Sequence, residues 1–208
     1  MIPTDVILLF VTASVALAFA PGPDNIFVLT QSALHGRKNG LLVTLGLCTG
    51  LLVHTSAVAL GVAAIFQSSL LAFNLLKLAG ALYLLYLAVQ AFRASASALE
   101  AKGSEGLSWR GLYTRGIIMN ITNPKVAIFF LAFLPQFADP ARGSITVQML
   151  LLGGLFIVST LIVFGTVAWF AGYIGEWLQR SARAQVVMNR IAGTVFVALA
   201  LRLAVSER

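Results

Sequence analysis

Long apolar segments recur along the whole chain, separated by short polar stretches. Each is at least as long as the 20 or so residues with which an α-helix crosses the hydrocarbon core of a bilayer. There are six of these segments, at approximately residues 3–34, 41–66, 70–92, 113–137, 145–175 and 186–205. The pattern predicts an all-α integral membrane protein with six transmembrane helices.

The composition agrees with lipid as the solvent for this chain. Of its 208 residues, 59% are hydrophobic and only 10% are charged, and the mean hydropathy is +0.93, whereas soluble proteins carry about 25% charged residues. We therefore predict a single transmembrane domain over residues 1–208, without a separate catalytic domain. The one cysteine, Cys48, lies in an apolar segment and only two histidines are present, so we predict no metal site and no cofactor.

Basic residues are concentrated on one side of the predicted membrane. The net charge of +7 would suggest nucleic acid in a soluble protein, but membrane orientation explains it here, and we predict no nucleic-acid partner. One side has four Lys and Arg residues and the other has nine, which are Arg37, Lys38, Arg93, Lys102, Arg110, Arg115, Arg180, Arg183 and Arg190. The positive-inside rule makes the second side cytoplasmic and places both termini on the outer face.

The chain divides into two halves of three spans each. Residues 93–112 include the one long polar stretch and form the predicted cytoplasmic linker, between pseudo-repeats at about residues 1–92 and 113–208. A weak internal similarity relates residues 77–84 to residues 190–197. Because each half has an odd number of spans, the second half is inverted relative to the first, as in many secondary transporters.

Prolines interrupt the first and the fourth apolar segments. Pro21, Gly22 and Pro23 cannot lie in an uninterrupted helix, because proline lacks a backbone N–H. In the fourth segment Asn123 has the features of an N-cap, and Pro124 those of a first helical residue. Helices 1 and 4 are therefore predicted to be broken. Lipid tolerates such breaks only where protein or a water-filled cavity surrounds them.

Polar side chains gather around the two breaks, and ionisable groups within a span are functional candidates because burying them in lipid is costly. We predict that the half-helix N-termini and Lys125 face a substrate carboxylate, and that Asp24 and the asparagine oxygens face an ammonium group. Asp24 is also a candidate proton carrier. The residues predicted to bind substrate or protons are Asp24, Asn25, Gln31, His54, Asn120, Asn123 and Lys125.

Structural interpretations compete with these roles. In one of them Asp24 is only an N-cap, while Lys125 either pairs with Asp24 or extends to the membrane surface. Residues 21–23 are alternatively a plain turn between helices, with residues 24–34 at the interface. His54 is alternatively a hydrogen-bonded core residue, and Gln31 a polar contact between helices.

Four stretches of sequence together resemble the LysE/RhtB family of bacterial amino-acid exporters, namely residues 21–32, 36–40, 123–125 and 129–137. The resemblance covers nearly the whole chain in order. It implies a bacterial inner-membrane protein that exports amino acids or close derivatives by proton antiport. In such a membrane the outer face, on which the charge distribution places both termini, is periplasmic. The resemblance marks as site residues Pro21, Gly22, Pro23, Asn25, Asn123, Pro124 and Lys125.

One position departs from the family's pattern. Many sequences similar to this one have an acidic residue directly after the glycine that corresponds to Gly50, where this chain has Leu51. The departure argues against coupling through a second-span carboxylate and leaves Asp24 or His54 as substitutes. It also weakens the case for a cationic substrate.

Two other classes of function compete with amino-acid export. A membrane-embedded enzyme needs a nucleophile with its base, or a metal cluster, and the chain has no HExxH or GxSxG motif. A small-solute channel normally has a polar stripe repeated along several helices, whereas the polar residues here gather at two breaks. The small size and the family resemblance also suggest a homodimer.

Overall fold

Helices make up nearly all of the chain that the computed structural model describes, which is residues 2–20, 22–68, 70–94, 107–171, 173 and 181–205. Pro21 and residues 95–106 of the predicted linker lie outside the described residues. The helices are α1 (Thr4–Phe19), α2 (Pro23–His35), α3 (Arg37–Ser68), α4 (Leu70–Arg93), α5 (Trp109–Ile121), α6 (Pro124–Ile128), α7 (Ile145–Trp169) and α8 (Ala182–Val205). The described ranges contain no strand, which confirms the all-α prediction.

Several helices are long and apolar enough to cross a membrane. Three helical segments pass this test of length and composition individually: Arg37–Gly61 within α3, Ile145–Trp169 as α7, and Arg183–Val205 within α8. Two bent pairs pass the same test, α1 with α2 at 63° and α5 with Pro124–Phe137 at 49°, which gives up to five spans among the described residues. The bends coincide with the predicted breaks, so helices 1 and 4 are broken as predicted. Helix α4, with 24 residues, occupies the third predicted segment.

The second half of the fourth span changes its helical pitch. Helix α6 is followed by a π-helical turn at Phe129–Phe133 and a 3₁₀ turn at Leu134–Phe137. Pro135 gives a physical reason for the change, because proline cannot donate the amide hydrogen bond that a continuing α-helix needs. The π-helical turn packs against α4.

An aromatic cluster holds α1, the fourth span and α7 together. The Phe10 ring lies 5.1 Å from that of Phe137, centroid to centroid. The Phe156 ring of α7 lies 5.1 Å from those of both Phe129 and Phe130. All five rings are buried. Aromatic pairs at such distances add directional attraction to the burial of apolar surface, so this cluster fixes the position of α7 beside the breaks.

Helix contacts follow the pattern expected of two equivalent halves. Helix α3 packs on α5 and α7, while α1 packs on α7 and α8, and α4 packs on α8 and on the π-helical turn. When each helix is matched with its equivalent in the other half, the α3–α5 contact corresponds to the α7–α1 contact. In the same way, the α1–α8 contact corresponds to the contact between the fourth span and α4. These equivalences support the predicted inverted repeat, which stays a prediction.

Helices α3 and α5 cross closely at two glycines. The spacing of Gly46 and Gly50 in α3 predicts close helix packing. A Cβ atom added to Gly46 would lie 3.0 Å from the Cα of Gly116, and one added to Gly116 would lie 3.0 Å from the Cα of Gly46. A Cβ atom on Gly50 would lie 2.7 Å from the Cβ of Asn120. The packing prediction is confirmed, and it brings α3 against the end of α5 where the second break begins.

Four of the basic residues that were predicted on the cytoplasmic side share one end of the bundle. Helices α3 and α5 run parallel, because Gly46 contacts Gly116 and, further along both helices, Gly50 contacts Asn120. Their first turns carry Arg37, Lys38 and Arg110, with Arg115 in the next turn of α5. The Arg37 guanidinium lies 4.5 Å above the ring of Trp169, the last residue of α7. At the α4 end of the linker, Asn189 of α8 donates to the Ala94 carbonyl at 3.3 Å.

Candidate functional site

The two helix breaks meet inside the bundle. The Asn123 amide donates to Asp24 Oδ2 at 2.7 Å, although the two residues are 99 positions apart. Asp24 is the second residue of α2 and Asn123 is the N-cap of α6. Both side chains are buried, with 3% and 4% of their surface exposed. The N-termini of the two half-helices therefore lie side by side, as predicted.

The meeting point lies near the middle of the fourth span. Helix α5 has 13 residues before the break, which is about 20 Å at 1.5 Å per residue. The segment Pro124–Phe137 after the break has a comparable length. Because Asp24 contacts Asn123 directly, the first break lies at the same depth. This geometry argues against a plain turn at residues 21–23 with residues 24–34 at the interface.

The second break is built as its sequence predicts. Asn123 caps α6, because its Oδ1 accepts the Lys125 amide at 3.0 Å, and Pro124 is the first helical residue. The amides of Val126 and Ala127 also have an acceptor, the Asn123 carbonyl. The α6 N-terminus is thus satisfied by its own chain. Of the groups predicted to face a substrate carboxylate, the N-terminus of α2 and Lys125 therefore remain as candidates.

The first break is held by side chains from both half-helices. The Lys125 ammonium donates to the carbonyls of Ala20 at 3.0 Å and Leu17 at 3.4 Å. Asn25 donates to the Ala18 carbonyl at 2.7 Å. The last carbonyls of a helix have no partner within it, and they form its negative end. A cation and an amide therefore stabilise the C-terminal end of α1.

Three of the alternative interpretations, which concern Asp24 and Lys125, are wrong. Asp24 is not the N-cap of α2, because Gly22 occupies that position in extended conformation and no side chain caps the helix. Lys125 does not extend to the membrane surface, because its ammonium binds the end of α1. Nor do Asp24 and Lys125, both described, form an ion pair within 4.0 Å. A substitution at Gly22 would crowd the Lys125 ammonium, since an added Cβ atom would lie 3.2 Å from it.

A cavity lies between the two breaks and α7. In this conformation the cavity is partly open to the outside and small, with a volume of about 20 Å³, which is room for about one water molecule. The polar lining residues are Asp24, Asn120, Lys125 and Thr160, and the larger apolar ones are Leu17, Leu51, Val126, Phe156 and Phe164. An acid and a base thus share one partly open cavity near mid-span. Groups of opposite charge therefore line the same cavity.

Several oxygens around the cavity lack a hydrogen-bond partner among the described residues. They are Asp24 Oδ1, Asn25 Oδ1, Asn120 Oδ1 and Thr160 Oγ1, all of them buried. A buried polar atom without a partner costs about 1–3 kcal/mol, so native proteins rarely leave such atoms unused. Most of these atoms can only accept hydrogen bonds. The cavity lining therefore offers unused hydrogen-bond acceptors.

His54 supports the second break and does not line the cavity. Its Nε2 lies 3.2 Å from the Asn120 carbonyl, and a carbonyl only accepts, so Nε2 carries the proton in this contact. Pro124, four residues after Asn120, cannot donate to that carbonyl. The His54 ring also packs against Phe130 at 5.6 Å. This environment matches the interpretation of His54 as a hydrogen-bonded core residue.

Gln31 lies away from the cavity. It is buried on α2, seven residues after Asp24 and therefore on the same helix face. It is not among the residues that line the cavity. Of the seven predicted binding residues, Asp24, Asn120 and Lys125 line it, while Asn25 and Asn123 hold the two breaks in place.

Sequence reasoning missed the contribution of α7. Thr160 and Phe156 both face the cavity, yet neither was predicted there. The signal was present, since Ser159 and Thr160 are adjacent polar residues in the middle of an uncharged 25-residue helix. Leu51 was noted only as a departure from the family's pattern, and it proves to be a fully buried residue of the cavity wall.

Comparison with known proteins shows the family. The LysE type translocator model matches residues 15–207, and the chain belongs to this family. A homoserine/homoserine lactone efflux protein of Salmonella typhimurium is 35% identical over 196 residues, which are 94% of this chain and 94% of that protein. An uncharacterized membrane protein of Vibrio cholerae is 32% identical over 201 residues, which are 96% of this chain and 97% of that protein. No solved structure gives a significant match.

The predicted resemblance is confirmed by this membership. The family is one of translocators, and the efflux relatives match over almost their full length. The protein is therefore a membrane transporter of small molecules that exports amino-acid-like compounds.

Proposed function

We propose that the protein exports zwitterionic amino acids, or close derivatives, through the cavity where the two helix breaks meet. The observation that carries the proposal is the presence of both Asp24 and Lys125 in the lining of one cavity. Asp24 Oδ1 has no partner among the described residues and accepts the substrate ammonium. Lys125, at the edge of the break, receives the carboxylate. A zwitterion adds no net charge to the site, which limits the cost of moving it through lipid.

Export is proposed to be proton antiport with Asp24 as the carrier. The unpartnered oxygen of Asp24 has room for a proton or for the substrate ammonium, but not for both at once. A carboxyl that binds the two in turn exchanges one for the other across the membrane. Leu51 at the position where similar sequences have an acid leaves Asp24 as the carboxyl of the cavity lining.

We place the protein in the bacterial inner membrane with its basic bundle end toward the cytoplasm. Arg37, Lys38, Arg110 and Arg115 share that end, and the positive-inside rule makes it cytoplasmic. Both termini are then periplasmic. A homodimer is proposed on the grounds of small size and family resemblance. The inverted repeat is proposed on the contact equivalences of the two halves.

Transport rather than chemistry or passive conduction is expected of the purified protein. In proteoliposomes loaded with labelled homoserine, an imposed proton gradient should drive homoserine against its own gradient, and the compound should be recovered unchanged. Excess unlabelled homoserine should saturate the flux. The amide of homoserine, which lacks the carboxylate, should not compete.

Two outcomes would contradict this account. Flux that does not respond to the proton gradient and does not saturate would indicate a channel. Recovery of a transformed compound without uphill movement would indicate an enzyme. Liposomes without protein, and liposomes with the Asp24→Asn variant, control for leakage and for damage during reconstitution.

A further inference from the structure

One buried hydroxyl differs from all the others in the described residues. Buried Ser and Thr side chains number six, and five of them donate to the backbone carbonyl four residues earlier at 2.7–2.9 Å, namely Ser14, Ser32, Thr44, Thr55 and Ser159. This back-bonding is the ordinary way in which a helical hydroxyl satisfies itself. Thr160 is the sixth, and its Oγ1 has no hydrogen-bond partner.

The exceptional hydroxyl belongs to the cavity. Thr160 lies near the middle of α7, with 3% of its surface exposed, and it lines the same space as Asp24 and Lys125. A helical threonine has two common rotamers, because its Oγ1 can bond the carbonyl three or four residues earlier. Burying a hydroxyl without a hydrogen-bond partner costs free energy. A ligand that forms a hydrogen bond with Thr160 would recover that free energy.

The surroundings of Thr160 define what that ligand offers. Leu51, Phe156 and Phe164 form apolar wall around it, and Asn120 contributes a second unpartnered oxygen. The lining residues include one acid and one base, Asp24 and Lys125. The proposed function assigns both of these to the ammonium and the carboxylate that all amino acids share, so no charge of the lining remains for a charged side chain.

We propose that Thr160 is a specificity-determining residue, which hydrogen-bonds an uncharged polar group in the side chain of the transported amino acid. The substrate class is then amino acids with a hydroxyl or a similar group on an otherwise apolar side chain. This inference rests on the proposed function, since it takes the amino and carboxyl groups of the substrate to be bound by the two breaks.

Selectivity between two isosteric substrates tests the inference. Homoserine and norvaline differ in a terminal hydroxyl against a methyl group. Their ratio of transport efficiencies should favour homoserine in the original protein. Thr160→Val, which replaces the hydroxyl by a methyl group at constant volume, should lower the ratio about tenfold, as loss of one hydrogen bond to a buried group does. Norvaline transport should stay the same or rise.

Matched variants separate the hydroxyl from its neighbours. Ser159→Ala removes the adjacent hydroxyl, which donates to the Leu155 carbonyl, and should leave the ratio unchanged. Thr160→Ser keeps the hydroxyl and should therefore keep the ratio. This variant still tests the inference if Thr160→Val folds poorly. An unchanged ratio in Thr160→Val, or an equal drop in Ser159→Ala, would overturn the inference. Absence of transport of both amino acids by the original protein would instead overturn the proposed function.

Discussion

Replacing Lys125 by methionine is expected to abolish export and to loosen the C-terminal end of α1. Methionine keeps the apolar stem but removes the charge that receives the substrate carboxylate. It also removes the ammonium donor from the carbonyls of Leu17 and Ala20, of which the Leu17 carbonyl keeps the Ala20 amide. We expect at least a hundredfold loss of homoserine efflux from preloaded proteoliposomes. Stability should fall by about 1–3 kcal/mol, because buried acceptors lose a charged partner.

The matched control is another lysine of the helical bundle. Lys77→Met changes a half-buried residue of α4 that is not among the cavity-lining residues, so efflux should stay within about twofold of the original rate. Thermal unfolding in detergent measures the stability change in both variants. Efflux at the original rate in Lys125→Met would show that the ammonium only caps α1.

Replacing Asp24 by asparagine is expected to remove uphill transport while leaving the fold intact. An asparagine oxygen can still accept the hydrogen bond from Asn123 that joins the two breaks. It cannot take up and release a proton, and it attracts an ammonium group far less. Accumulation of homoserine driven by a proton gradient should fall at least a hundredfold. Exchange of homoserine across the membrane without a proton gradient should also be slower in this variant than in the original protein.

Asp139 provides the control for this variant. It lies in the turn before α7, outside the spans, and the Ala141 amide and the Arg142 guanidinium hold the pKa of its carboxyl below the ordinary value. It therefore stays ionised throughout the usual pH range, and Asp139→Asn should not change the pH dependence of transport. If Asp24→Asn retained the original pH dependence and rate, Asp24 could not be the proton carrier.

Local sequence rules predicted the second break in detail. An N-cap and a helix-starting proline act on their nearest neighbours, so Asn123 and Pro124 could be assigned without knowledge of the fold. The close packing at Gly46 and Gly50 was also predictable, because residues four apart share a helix face. These features depend on short stretches of chain.

Other parts of the site depend on contacts between distant segments. The acceptors of the Lys125 ammonium lie 105 and 108 positions earlier in the chain, and no local pattern indicates them. The unpartnered hydroxyl of Thr160 lies at a cavity that several helices form, whereas the hydroxyl of its neighbour Ser159 is bonded within its own helix. The contact of His54 with the Asn120 carbonyl joins residues 66 positions apart, so the sequence alone leaves both the core role and the proton-carrier role open.

Protection of one cavity position by substrate tests the central claim, that the two breaks form the substrate site. The only cysteine, Cys48, can be replaced by serine, and Leu51→Cys then places a single thiol in the cavity wall. We predict that a methanethiosulfonate reagent labels this thiol in the membrane and that saturating homoserine slows the labelling at least fivefold. In the Asp24→Asn background homoserine should give no protection. Labelling at the same rate with and without homoserine, in protein that still transports it, would contradict the account.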